Sequence, residues 1–218
     1  MINLAKKRVR FIYISQKYNK LYQKSCSGEQ NHEMFLVVTS GTLNFIWHNW
    51  NLFWRNFWLA HLIGGIDLYN KPFHGLFPNY DEQQALYQLL VYLQKRKPNP
   101  GARINGTYQE ATWGDPNIII KLAVELMPSY SYMNYLVSLM SYYIQPIRHL
   151  QTVRNSLIHL THHNIKQLFN LARHYRFQPG QKIIYITFAR EIGTAEIAVN
   201  YWLNKMEGLL LNITMRST

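Results

Sequence analysis

The sequence predicts a mainly α-helical bundle of about six to seven helices, and three observations carry that expectation. Apolar residues recur at three- and four-residue steps through most of the chain, most cleanly at Trp47, Trp50, Trp54 and Trp58. Proline and glycine breaks punctuate the pattern. The composition, 48% hydrophobic and 15% aromatic over 218 residues, suffices to bury a core and excludes a disordered polycation. Cys26 is the only cysteine, so disulfide scaffolds and cysteine-rich zinc modules are excluded as well.

In chain order, residues 4–24 read as a helix with Lys6, Arg10, Lys17, Lys20 and Lys24 on one face. Leu4, Phe11, Ile14, Tyr18 and Leu21 form its apolar side. The inner piece Arg8–Ile14 also suits a strand, because it is rich in β-branched and aromatic residues. A second helix covers about 32–63, its tryptophan stripe facing other helices, and Gly64-Gly65 ends it. Residues 64–80 are loop; Asp81 then caps a helix running to about Lys97, where Lys95-Arg96-Lys97 suit the negative end of the dipole. Residues 98–116 form the longest irregular loop. Asp115-Pro116 pairs a cap with a proline at the first helical position. Pro128 breaks that helix, Ser129 opens another to about Ile144, and Gln145-Pro146 breaks again. From about Ile147 a long helix is expected to reach Tyr175, closed by Pro179-Gly180. The run 182–188 is β-like, either a short strand or the entry to a last helix at about 190–212.

The formal net charge of +12 is unevenly placed. Residues 1–28, a basic N-terminal helical segment, hold seven bases and no acid. From Glu29 to Glu125 eight acids nearly balance seven bases, and 29–115 forms an aromatic-rich helical region with the loop 98–116. From Leu126 to Arg190 there are again seven bases and no acid, with five of the nine histidines; 116–218 is the third region of what is expected to be one compact unit. Such a distribution seeks a polyanion, nucleic acid first and anionic lipid second. No apolar run with a cleavage site follows the basic start, and the stretch 42–66 is too polar for an ordinary membrane span. A cytoplasmic protein with no transmembrane segment is expected, and the sequons at Asn105 and Asn212 read as accidental.

The informative segment is Arg148-His-Leu-Gln-Thr-Val-Arg-Asn-Ser-Leu-Ile-His159-Leu-Thr-His-His163, whose core is Arg154-Asn155-x3-His159. With this chain's composition, chance supplies ~0.45 Arg-x4-His strings, and the added asparagine lowers that to ~0.04. Here the sequence resembles the HEPN superfamily (higher eukaryotes and prokaryotes nucleotide-binding), whose members carry Arg-x(4–6)-His, often with Asn after Arg. The resemblance covers about residues 116–212. It implies a helical bundle and a metal-independent ribonuclease of toxin–antitoxin, CRISPR-associated or antiviral defence, with a composite active site between two such motifs. Arg55-Asn56-x4-His61 is a possible second motif, and both end in His-Leu.

The chemistry is reasonable on its own terms. RNA cleavage needs a base for the 2′-hydroxyl, an acid for the leaving oxygen and positive charge on the phosphorane. Histidine titrates near neutrality and serves as acid or base. Arginine stays protonated and grips phosphate with two donors. Arg154 and His159 diverge by about 140° on an ideal helix, so Arg154 must reach around, sit in a distorted first turn or work with His159 of another protomer, and a homodimer or a partner protein is expected. Asn155 and His159, four apart, share a face and can orient each other. Lys6, Arg10, Lys17, Lys20, Lys24, Arg148, Lys166, Arg173 and Arg176 are the expected backbone-phosphate contacts. His159 and His163 have a metal-binding helical spacing, but 126–190 supplies no Asp, Glu or Cys, so neither metal nor cofactor is expected. The competing expectation is a non-catalytic helical RNA- or DNA-binding subunit of a larger ribonucleoprotein, suggested by bases at both ends. A third is a peripheral membrane protein using the tryptophan stripe.

Overall fold

A tryptophan at every helical turn has to be covered, and in the computed structural model it is. Residues 1–26, 31–94, 110–159 and 161–213 are described. They form seven α-helices, one 3-10 helix and five two-residue strands. The helices are α1 (Leu4–Cys26), α2 (His32–Ile63), α3 (Glu82–Tyr92), α4 (Pro116–Leu126), α5 (Met133–Ile158), α6 (His162–Ala172) and α7 (Ala198–Ile213). The mainly α-helical fold class is as expected. The chain divides into two compact units, one of Met1–Ile12, His48–Tyr142 and Leu210–Thr218, the other of Tyr13–Trp47 and Tyr143–Leu209.

In the first unit Trp50, Trp54 and Trp58 are wholly buried. Phe11 packs on Trp50 with ring centroids 5.3 Å apart, and Trp54 stacks on Trp58 at 5.7 Å. Trp50 also donates its indole N–H to the Gly114 carbonyl at 2.9 Å, while Asn51 accepts from the Gly114 N–H at 2.8 Å. A Cβ at Gly114 would lie 2.3 Å from the Trp50 ring, so the chain entering α4 requires glycine there. The strands β1 (Ile2–Asn3), β2 (Gly65–Ile66) and β3 (Pro72–Phe73) form a small sheet, β1 parallel and β3 antiparallel to β2. Asp81 caps α3 in a complete capping box with Gln84, and Asp115 caps α4 ahead of Pro116, both as expected. Lys95, Arg96 and Lys97, like the loop up to 109, lie outside the described residues. Among the described residues Lys121 is at the end of α3, its ammonium donating to the Leu93 carbonyl at 3.0 Å.

In the second unit the hydroxyl of Tyr22 meets Thr39 at 3.1 Å and Thr187 at 2.8 Å, all three residues being buried. Leu21, expected inward, is 49% exposed, because Tyr22 rather than Leu21 falls on the line continued from Phe11 and Ser15. The piece Arg8–Ile14 is helical; Phe11 and Ile14 face inward at helical spacing, which a strand would split between two faces. The run 182–188 is neither a strand nor the entry to the last helix: it forms a 3-10 helix at Ile183–Phe188, and α7 starts only at Ala198. The paired strand residues flank it, β4 (Tyr175–Arg176) against β5 (Arg190–Glu191).

The largest local departure concerns α5. Gln145-Pro146 does not break the chain; Pro146 lies inside α5. An interior proline costs about 3 kcal/mol, yet Ile147, Leu150 and Val153 beyond it are all fully buried. Each contributes roughly 1.5–3 kcal/mol on that account, so packing outweighs the lost donor. The expected long helix from Ile147 to Tyr175 is interrupted instead after Ile158, and α6 begins at His162. Among the described residues no helix is long and apolar enough to cross a membrane.

Candidate functional site

The interruption after Ile158 is built by short polar side chains competing for the backbone. Thr161 is the N-cap of α6 and accepts from the Asn164 N–H. The Asn164 amide donates to the His159 carbonyl at 2.8 Å, and Ser156 donates its hydroxyl to the carbonyls of Thr152 and Asn164 at 2.8 and 2.9 Å. His159 therefore stands at the corner between two helices, at the end of α5 and not near the start of a long helix. The signal was present in the sequence: Thr161 with a polar Asn164 three residues later is an N-cap pattern. Because the break falls between them, His159 and His163 do not share a helix face in the way a metal-binding spacing requires.

One turn back, Arg154 is half-buried and held by neutral acceptors. Its Nε and Nη2 both donate to Oδ1 of Asn44 on α2, the former at 3.1 Å, and its Nη1 donates to Oδ1 of Asn155 at 2.8 Å. Among the described residues no carboxylate pairs with it, and burial pushes its pKa down with nothing opposing. Of the five N–H donors of a guanidinium, three are thus committed to amide oxygens that orient the charge without cancelling it. Asn155 was expected to orient His159; its side-chain oxygen serves Arg154 instead, and its backbone carbonyl accepts from the His159 N–H at 2.8 Å. The His159 side chain is exposed.

Arg55, Asn56 and His61 lie in the first unit, in a different electrostatic setting. Arg55 donates from Nε and Nη2 to the two carboxylate oxygens of Glu110, at 2.8 and 3.0 Å, and from Nη2 to Glu82 at 2.8 Å. Glu110 also accepts from the Trp113 indole at 2.8 Å. Asn56 donates to the Leu52 carbonyl at 2.6 Å, and His61 is buried with its Nδ1 2.6 Å from the Phe57 carbonyl. Burial pulls the His61 pKa down to about 4, leaving a neutral ring at neutral pH.

Of the remaining basic residues, Lys6, Arg10, Lys17, Lys20, Lys24, Lys166, Arg173 and Arg176 are exposed, and Arg148 is half-buried. Lys17 lies over the Tyr13 ring at 5.7 Å. On α6, helical geometry puts His162, Ile165, Lys166, Phe169 and Arg173 on one side. Phe169 is 58% exposed there, a large aromatic ring between cations.

A buried polar cluster in the second unit escaped the sequence reading. The Tyr175 hydroxyl accepts from the Trp202 indole at 2.7 Å and meets Nδ1 of His149 at 2.6 Å. Glu191 lies beside Tyr175, and burial raises its pKa. Burial, with His174 nearby, holds the His149 pKa down at about 4. The four residues are dispersed over α5, β4, β5 and α7, and no spacing rule links them.

Compared with protein-family models, with curated proteins and with solved structures, the chain matches none.

Proposed function

We propose that this protein is an RNA-binding protein of HEPN-like type, an endoribonuclease that cuts single-stranded RNA without metal. Arg154 stabilises charge on the scissile phosphate, Asn155 fixes the guanidinium, and His159 is the general acid or base. One observation carries the reading. Among the described residues Arg154 is a half-buried cation positioned by amide oxygens alone, with two donors uncommitted, five residues before an exposed histidine. A phosphate oxygen supplies the anion that this arrangement lacks. The divergence of Arg154 and His159 along α5 makes a homodimeric composite site the expected working form, with a prokaryotic defence or toxin–antitoxin role. The pair Arg55–His61 is structural on this reading, since the charge of Arg55 is already neutralised.

The test is cleavage of labelled single-stranded RNA in EDTA by the wild type, Arg154→Ala and His159→Ala. Loss of cleavage in both variants with folding intact supports the assignment; equal cleavage by all three sinks it. A binding-only role in a ribonucleoprotein is favoured by a separate observation, the exposed Phe169 between Lys166 and Arg173 on α6. Rings and cations so arranged stack bases and track phosphates without any chemistry. Salt-sensitive RNA binding with no cleavage selects that role.

A further inference from the structure

The tryptophan stripe has nothing to offer a membrane, since Trp47, Trp50, Trp54 and Trp58 are all buried. The outward face of α1 is different. Val9 is 60% exposed, Tyr13 61% and Leu21 49%, and Lys6, Arg10, Lys17, Lys20 and Lys24 are exposed with them. At about 100° per residue these side chains fall within an arc of about 120°. The cations and Tyr13 occupy its middle, and Val9 and Leu21 border them on either side. From Lys6 to Lys24 the face is about 27 Å long. It is a property of one unbroken helix.

Its charge is strongly positive. Residues 1–28 contain no acid. Glu207 of α7 reaches only the edge of the face, where it accepts from Gln16 Nε2 at 3.0 Å. The Lys17 ammonium lies 5.7 Å over the Tyr13 ring.

Two polyanions fit that charge, and the other side chains choose between them. A nucleic-acid track uses arginine forks and successive stacked rings. On α1 four of the five exposed cations are lysines, and two of the three exposed apolar residues are aliphatic. Valine and leucine do not stack on bases, but they gain by leaving water for lipid. Lysine is a point charge on a flexible stem, which answers to the diffuse negative potential of a bilayer surface. Tyrosine suits the headgroup layer, its ring in the apolar part and its hydroxyl in the wet part.

We infer that this face of α1 binds an anionic lipid bilayer, the helix lying in the plane of the headgroups with Val9, Tyr13 and Leu21 turned into them. Lys6, Arg10, Lys17, Lys20 and Lys24 then meet the lipid phosphates and carboxylates. The inference does not rest on the RNA chemistry proposed for α5.

The test is sedimentation of the full chain with vesicles of phosphatidylcholine, alone or with about 30% phosphatidylserine, in about 0.1 M salt. Binding to the anionic vesicles is expected to be tighter by about tenfold or more. Lys17→Gln and Lys20→Gln should each weaken it about fivefold, whereas Lys182→Gln, which removes an exposed cation elsewhere, should change it less than about twofold. Leu21→Ser should also cost about fivefold on vesicles and leave single-stranded RNA binding unchanged. All four variants alter exposed side chains, and an unchanged Tm checks their folding. Equal binding to both kinds of vesicle, an equal loss from Lys182→Gln, or no effect of Leu21→Ser would each overturn the inference. So would an equal loss of RNA binding in Leu21→Ser, which would make the face a nucleic-acid track.

Discussion

Two arginine–asparagine pairs, each followed by a histidine, end in opposite circumstances. Arg55 faces two carboxylates, the histidine that follows it is fully buried, and its fork holds the segment at Glu110 against α2. Arg154 faces two amide oxygens, and its histidine stands exposed at a helix corner. A guanidinium paired with carboxylates is a staple, because its field is cancelled at short range. One oriented by neutral acceptors keeps its field and has donors to spare. The identity of the acceptor, more than that of the arginine, decides whether such a pair acts on the protein or on a ligand.

The largest effect that separates the two is catalytic. Arg154→Ala and His159→Ala should each lower RNA cleavage by ~10²–10³-fold, whereas Asn56→Ala should stay within about twofold. If the Asn56 variant loses activity equally, the contrast between the pairs fails. Acid should next reveal the buried histidines. His61 and His149 are both held near pKa 4 by burial, below the value of 6.5 expected in the unfolded chain. Unfolded protein therefore binds protons first, so their contribution is complete above pH 6.5 and is lost as pH falls toward 4. About 3 kcal/mol is expected for His61 alone, and urea midpoints taken at several pH values in this window measure it.

A smaller difference lies in the arginines' own contributions to stability. Arg55→Ala strands a half-buried Glu110 and should cost about 2 kcal/mol, while Arg154→Ala releases only neutral amides and should cost under about 1 kcal/mol. Chemical denaturation of both variants checks the ranking. The smallest effects are expected on α6. Phe169→Ala should weaken single-stranded RNA binding by about 1 kcal/mol without changing its salt dependence. Lys166→Ala and Arg173→Ala should each reduce the salt slope by about 0.7. A Phe169 variant with unchanged binding would remove stacking from the account.

Much of the architecture was legible because its signals are local. The tryptophan stripe, the Asp81 cap and the Asp115-Pro116 start need only a few neighbouring residues; the stripe lies within α2, and α3 and α4 begin where their caps place them. Pro146 misled for the same reason. It is a local signal, overruled by burial of Ile147, Leu150 and Val153 that no local pattern displays. The break at 159–161 was signalled by Thr161 and Asn164, but more weakly than the proline. The candidate residues were legible as types, and their partners were not. Asn44 is 110 residues from Arg154, Glu110 is 55 from Arg55, and the three groups around Tyr175 share no spacing.

By itself, then, the sequence determined the helical class, the main helix starts and the surplus of positive charge. Periodicity, caps and composition act through near neighbours and need no knowledge of the rest of the chain. Only the tertiary structure decided which arginine is neutralised and which histidine is buried. Burial and charge pairing depend on residues brought together from distant positions, and these set whether a polar group is satisfied within the protein or left for a partner.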